Sequence, residues 1–111
     1  MDLVAFYKCL GDSTRLRIAH LLVQGDPLCV RQIQDSIQES QVKTSKHLGY
    51  MKSRGLLSVE RQANWNFYRI ADGLESIVGQ SLGALRDHSN GYATLRADLD
   101  RLKALQAQDC C

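Results

Sequence analysis

The sequence predicts a mainly α fold in which helices flank a single β-hairpin, and three observations carry that prediction. Apolar residues recur at helical spacing in several stretches punctuated by Gly, Ser and Asp, while one stretch, from Leu56 to Ala71, alternates with a period of two. Between them lies Ser40 to Arg54, a helical segment whose first two turns read as polar, hydroxyl and basic side chains only.

The elements follow in order. Asp2 to Leu10 places Leu3, Val4, Phe6, Tyr7 and Leu10 on one apolar face and ends at Gly11. Ser13 serves as N-cap for a helix from Thr14 to Val23, with Leu16, Ile18, Ala19, Leu21 and Leu22 at helical spacing and Gly25 as terminator. After the Asp26-Pro27 turn, Cys29 opens a third helix anchored by Ile33 and Ile37. Glu39-Ser40 separates it from the next helix, which Ser40 caps, Leu48, Met51 and Leu56 anchor, and Gly55 closes. Leu57 to Arg61 and Trp65 to Ile70 form the hairpin around Gln62-Ala63-Asn64, a turn without the usual glycine. Beyond Asp72, apolar residues recur at Leu74, Ile77, Val78, Leu82 and Leu85, then at Tyr92, Leu95, Leu99, Leu102 and Leu105. Ser89-Asn90-Gly91 divides the two sets, so two helices are expected.

This order is that of a winged helix-turn-helix with a two-stranded β-hairpin wing. At 111 residues, 44% hydrophobic and 23% charged, the chain reads as one ordinary globular domain over 1–111. Its core spans about 13–71, with amphipathic end helices at about 2–10 and 73–107 and a cysteine-bearing tail at 108–111. So small a domain cannot cover the apolar stripes of both end helices, so they are expected to dimerise. An acidic Asp2 and no long apolar run predict a cytoplasmic protein, not a membrane one, with Cys9, Cys29, Cys110 and Cys111 mainly as thiols.

Net charge is only +2, yet between Ser40 and Ala71 six basic residues (Lys43, Lys46, Lys52, Arg54, Arg61 and Arg69) face Glu60 alone. Positive charge concentrated on one helix and hairpin is what a phosphate-contacting surface requires. The residues expected to meet duplex DNA are Ser40, Gln41, Lys43, Thr44, Ser45, Lys46 and His47 on the helix, with Arg61 and Asn64 on the wing. Lysines would act on phosphates, whereas Gln41 and Thr44 would read base edges.

The runs LGDSTRLRIAHLL (Leu10 to Leu22), SQVKTSKHLGYMKSRGLL (Ser40 to Leu57) and RQANWNFYRI (Arg61 to Ile70) resemble, in order and spacing, the arsenical-resistance repressor (ArsR/SmtB-type) family of transcription regulators. The resemblance spans about residues 3–71. It implies a homodimeric repressor that binds a palindromic operator and is released by a metal or metalloid. The chain departs from the family at the wing tip, where Ala63 and Asn64 replace a glycine and a basic residue. It departs again at the third helix, where Cys29 is followed by Val30 and Arg31 and not by a second cysteine one residue on.

Thiolates select soft ions, and trivalent arsenic takes three of them in a pyramid. With the resemblance, arsenite or antimonite becomes the expected inducer and Cys29, Cys110 and Cys111 the expected ligands. Cys29 sits at a helix start, which favours the thiolate, and the terminal pair can reach across from the same or the other subunit. Cys9 reads as core and His20 as a partly buried helix residue. Asp87 and His88 are adjacent, not two apart, and no histidine follows, so a zinc site is not expected. No cysteine lies near a histidine in sequence, and no phosphate loop or paired acid motif occurs, so an enzyme is not expected. The alternatives are a winged helix switched by thiol oxidation and one used only for protein contacts.

Overall fold

A computed structural model describes residues 1–108. Within them α1 (Leu3–Leu10), α2 (Ser13–Leu22), α3 (Val30–Ile37) and α4 (Gln41–Ser53) precede the hairpin β2 (Leu57–Gln62) and β3 (Trp65–Ile70), and α5 (Ser76–His88) and α6 (Ala93–Ala107) follow it. A further two-residue strand, β1 (Leu28–Cys29), lies between α2 and α3. The architecture is a mainly helical winged helix-turn-helix whose sheet has the order β1-β3-β2, all antiparallel.

Local chemistry sets the boundaries. Asp12, not Ser13, caps α2: its Oδ1 accepts from the Arg15 N–H at 3.1 Å, and this bond leads the causes that hold its carboxyl below the usual range. Ser13 is instead the first helical residue. Ser40 caps α4 as expected, its Oγ accepting from the Lys43 N–H at 3.1 Å, and Gly55 takes φ 88° after the helix. The main correction is at Cys29. It was expected to open a helix; it ends a strand paired to the wing, opposite Phe67, and is the N-cap of α3, its N–H donating to Gln32 Oε1 at 3.1 Å.

The core gathers Phe6 and Cys9 from α1, Ile18 and Leu21 from α2, Ile33 and Ile37 from α3, Leu48 and Met51 from α4, and Leu56 and Leu57 at the foot of the wing. Val78 and Leu102 close it from the C-terminal helices. Cys9 is the core residue expected, and burial pushes its thiol pKa up. His20 is buried more completely than expected; desolvation lowers its pKa and favours the neutral ring, with the Asp98 charge acting the other way.

Asp98 of α6 is fully buried because two guanidiniums meet it. Arg17 of α2 donates to both its oxygens at 2.8 and 2.9 Å, and Arg101 donates to Oδ1 at 2.8 Å. The same two arginines donate to the Ile37 carbonyl at 2.8 Å and the Ser36 carbonyl at 2.6 Å, which are last-turn acceptors of α3 without helical partners. Thus α6 is tied to the helix that leads into α4. Asp98→Ala would leave both cations without their carboxylate and should cost about 3 kcal/mol of unfolding free energy in urea titration. A loss under about 1 kcal/mol would show that the network does not hold α6 in place.

Candidate nucleic-acid interface and thiol site

Helix α4 is divided by its period. Thr44, Leu48 and Met51 recur at i, i+4 and i+7 and point into the core, whereas Val42, Lys46 and Gly49, with the same spacing, point away from it. Gln41, Lys43 and Ser45 are also exposed. This corrects the expectation for Thr44: its side chain is fully buried with no hydrogen-bond partner for its hydroxyl, so it cannot reach a base. In its place the outward face carries Val42, which is 81% exposed and which reading the segment as polar overlooked. The signal was in the sequence, since position 42 falls opposite 44, 48 and 51 on a helical wheel.

The cations differ in what they are already bound to. Lys43 Nζ lies 3.4 Å from Glu39, one turn back, while Lys46 makes no ion pair among the described residues. His47 is half-buried, its Nδ1 lying 3.4 Å from Arg15 Nη1, a guanidinium that also donates to the Cys9 carbonyl at 2.9 Å and stacks on the Tyr50 ring. It is therefore held in the junction between α1, α2 and α4. Arg54 stacks on the same ring at 3.4 Å. Ser40 is exposed and spends its acceptor on the cap, leaving its hydroxyl proton to donate outward.

At the wing tip Ala63 takes φ 55°, and Gln62 pairs with Trp65, so the loop has two residues with the left-handed one first, where glycine is favoured. Arg61 and Asn64 are exposed there, with Arg61 Nε donating to the Ala63 carbonyl at 3.3 Å. Arg69, counted among the basic surface, is paired to Asp72 at 3.2 Å.

Cys29 is buried and lines a cleft of about 330 Å³ whose walls include Gln34 of α3, Gln41 of α4, and Trp65 and Asn66 of β3, and its sulfur is disulfide-bonded, which corrects the expectation of a thiol at this position. One residue thus touches the wing sheet, the start of α3 and the space beside the start of α4. Cys110 and Cys111 lie outside the described residues. The last described turn of α6 nevertheless sits close by in the fold, since Gln106 Nε2 donates to Asp26 Oδ2 at 3.4 Å, three residues before Cys29. Among the described residues no three His, Cys, Asp or Glu side chains gather as a metal site, and Asp87 is paired to Arg86 at 2.9 Å.

A third surface is apolar. A groove of about 480 Å³ between α2, α5 and α6 is lined by Leu10, Leu16, Leu85, Tyr92 and Leu95. Leu3, Val4 and Tyr7 on α1 and Ile77 on α5 are also exposed. No described helix is long and apolar enough to cross a membrane.

Such a domain, with a basic helix presented beside a hairpin, defines a winged-helix DNA-binding regulator. Residues 12–59 match the family described as bacterial regulatory protein, arsR family. Over 108 residues the chain is 37% identical to the arsenic resistance transcriptional regulator ArsR2 of Pseudomonas putida, covering 95% of this chain and 94% of that one. The chain belongs to the ArsR family of transcriptional regulators, whose members act on DNA and are not enzymes. Among solved structures, the AntR antimony-specific transcriptional repressor superposes with a TM-score of 0.62 at 28% identity, covering 73% of this chain and 70% of that one. The homodimeric winged helix-turn-helix DNA-binding domain of Mb0332 from Mycobacterium bovis superposes with a TM-score of 0.64 at 26% identity, covering 81% and 80%.

Proposed function

We propose that this protein is a cytoplasmic homodimeric repressor that binds a palindromic operator and is released when trivalent arsenic or antimony is bound by Cys29, Cys110 and Cys111. The observation that carries the reading is the position of Cys29, whose sulfur, a soft ligand once reduced to the thiolate, is built into the wing sheet and the cap of α3 and borders the cleft beside α4. The relatives named for arsenic resistance and antimony-specific repression support the choice of ion.

Gln41, Ser45 and Lys46 enter the major groove, with Ser40 and Lys43 at its edge and Arg61 and Asn64 on the flanking backbone. His47 contributes by holding α4 against α2 and not by a direct contact. The apolar groove with α1 and α5 forms the two-fold interface, which sets two α4 helices about one duplex turn apart.

Release follows from covalent reach. Cys110 is two residues beyond Gln108 and Cys111 three, and Gln106 of the last described turn of α6 already meets Asp26, three residues before Cys29, which supports assigning both to the same site. Ligation draws the end of α6 onto the start of α3, while Arg17, Asp98 and Arg101 already clamp α6 to the other end of α3. Moving α3 shifts α4 through the turn at Gln38, which takes φ 58°, and moves the wing through the β1–β3 pairing. The test is sedimentation together with a DNA shift assay on duplexes selected from a randomised library. A dimer whose binding weakens with salt is expected; a monomer at micromolar concentration, or no duplex binding, would contradict the reading.

A further inference from the structure

Val42 has no place in the fold's own account. It is 81% exposed on the first turn of α4, and a β-branched residue is a poorer helix former than alanine, so neither packing nor propensity explains it. A lone exposed apolar residue is ordinary on a protein surface. Its direction is what distinguishes this one. Val42 shares the outermost line of α4 with Lys46 and Gly49, opposite the buried Thr44, Leu48 and Met51, and a Cβ built at Gly49 meets nothing within 4 Å. The line therefore presents a branched apolar group at the leading end, a cation with no ion pair among the described residues one turn on, and no side chain at the next turn, where the helix can come close to another surface.

Resting on the repressor reading above, we propose that Val42 is a sequence-reading residue that packs its methyl groups against the C5-methyl of a thymine in each half-site. In the major groove thymine is the base that offers an apolar group, and small apolar side chains on the leading turn of a docked helix meet it. In a helix valine holds one strongly preferred side-chain rotamer, so it enters that contact with little rotamer freedom to lose. The hydrogen-bonding groups of the neighbouring Gln41, Ser45 and Lys46 do not supply this selection, because thymine and its analogue lacking the methyl offer them the same partners.

The experiment uses the full chain and a duplex that it selects from a randomised library. Each thymine of that duplex is replaced in turn, symmetrically in both half-sites, by deoxyuridine, which keeps every hydrogen-bonding group and loses the methyl. One symmetric pair of replacements is expected to weaken binding by about fourfold per half-site, roughly fifteenfold in all, the worth of one buried methyl at each. Val42→Ala should bind the thymine and deoxyuridine duplexes alike, while Val42→Ile should keep the discrimination. If no replacement weakens wild-type binding, or if Val42→Ala discriminates as strongly as wild type, the inference is overturned although DNA binding stands. If the chain selects no duplex at all, the repressor reading fails and takes this inference with it.

Discussion

Cys29→Ser should abolish the response to arsenite while leaving operator affinity within a few-fold of wild type. Serine keeps the size and capping geometry of the residue, so the backbone bond to Gln32 and the pairing with Phe67 persist, but a hydroxyl is a hard donor that trivalent arsenic does not accept in place of a thiolate. A chain ending at Asp109 should behave the same way for a different reason: the wing sheet and α4 are intact, and two of three ligands are gone. In both variants the coupling between inducer and DNA, typically about 1–3 kcal/mol or 5- to 150-fold in affinity, should fall to near one. Cys9→Ser should keep it, because that thiol is buried in the core and its pKa is raised. Anisotropy of a labelled operator, titrated with arsenite under anaerobic conditions, reads all three. Full induction of the truncated chain would mean that the tail supplies no ligand and that the sensing site lies elsewhere.

Lys46→Ala should be the most damaging single change to DNA affinity on α4, and more damaging than Lys43→Ala. Lys46 points away from the core and has no ion pair among the described residues, so its charge is available to a phosphate, whereas part of the charge of Lys43 is already answered by Glu39 at 3.4 Å. Each neutralised phosphate contributes about 0.9 to the slope of log affinity against log salt, so losing Lys46 from both subunits should reduce that slope by about two. Affinity at low salt should fall roughly tenfold. Lys43→Ala should give no more than about half the slope change. Equal slopes in wild type and Lys46→Ala would mean that the helix does not dock as described.

The helices and the hairpin were legible because each is long enough for its period to repeat. The break at Ser89 to Gly91, the cap at Ser40 and the core role of Cys9 were read from the residues themselves. Strand β1 was not, since two residues carry no period, and its existence depends on β3 offering Phe67 and Tyr68 as partners forty residues on. Asp98 was invisible for a related reason. An aspartate on an amphipathic helix reads as a solvated position, and only the convergence of Arg17 and Arg101 from two helices makes its full burial tolerable. The misassignment of Thr44 and the omission of Val42 have one origin: chemical character was read along the segment, but on a helix the direction of each side chain decides what reaches the outside.

The central claim is that bound metalloid and bound operator exclude one another through thiols at the start of α3. The most direct measurement titrates arsenite into the preformed complex of full-length protein and selected operator, following DNA release and the remaining reactive thiols together. The account predicts that both curves break at about one arsenite per subunit, with the thiols of Cys29, Cys110 and Cys111 lost and DNA freed at the same point. Operator that stays bound while those thiols are consumed, or is released with them still reactive, would contradict it.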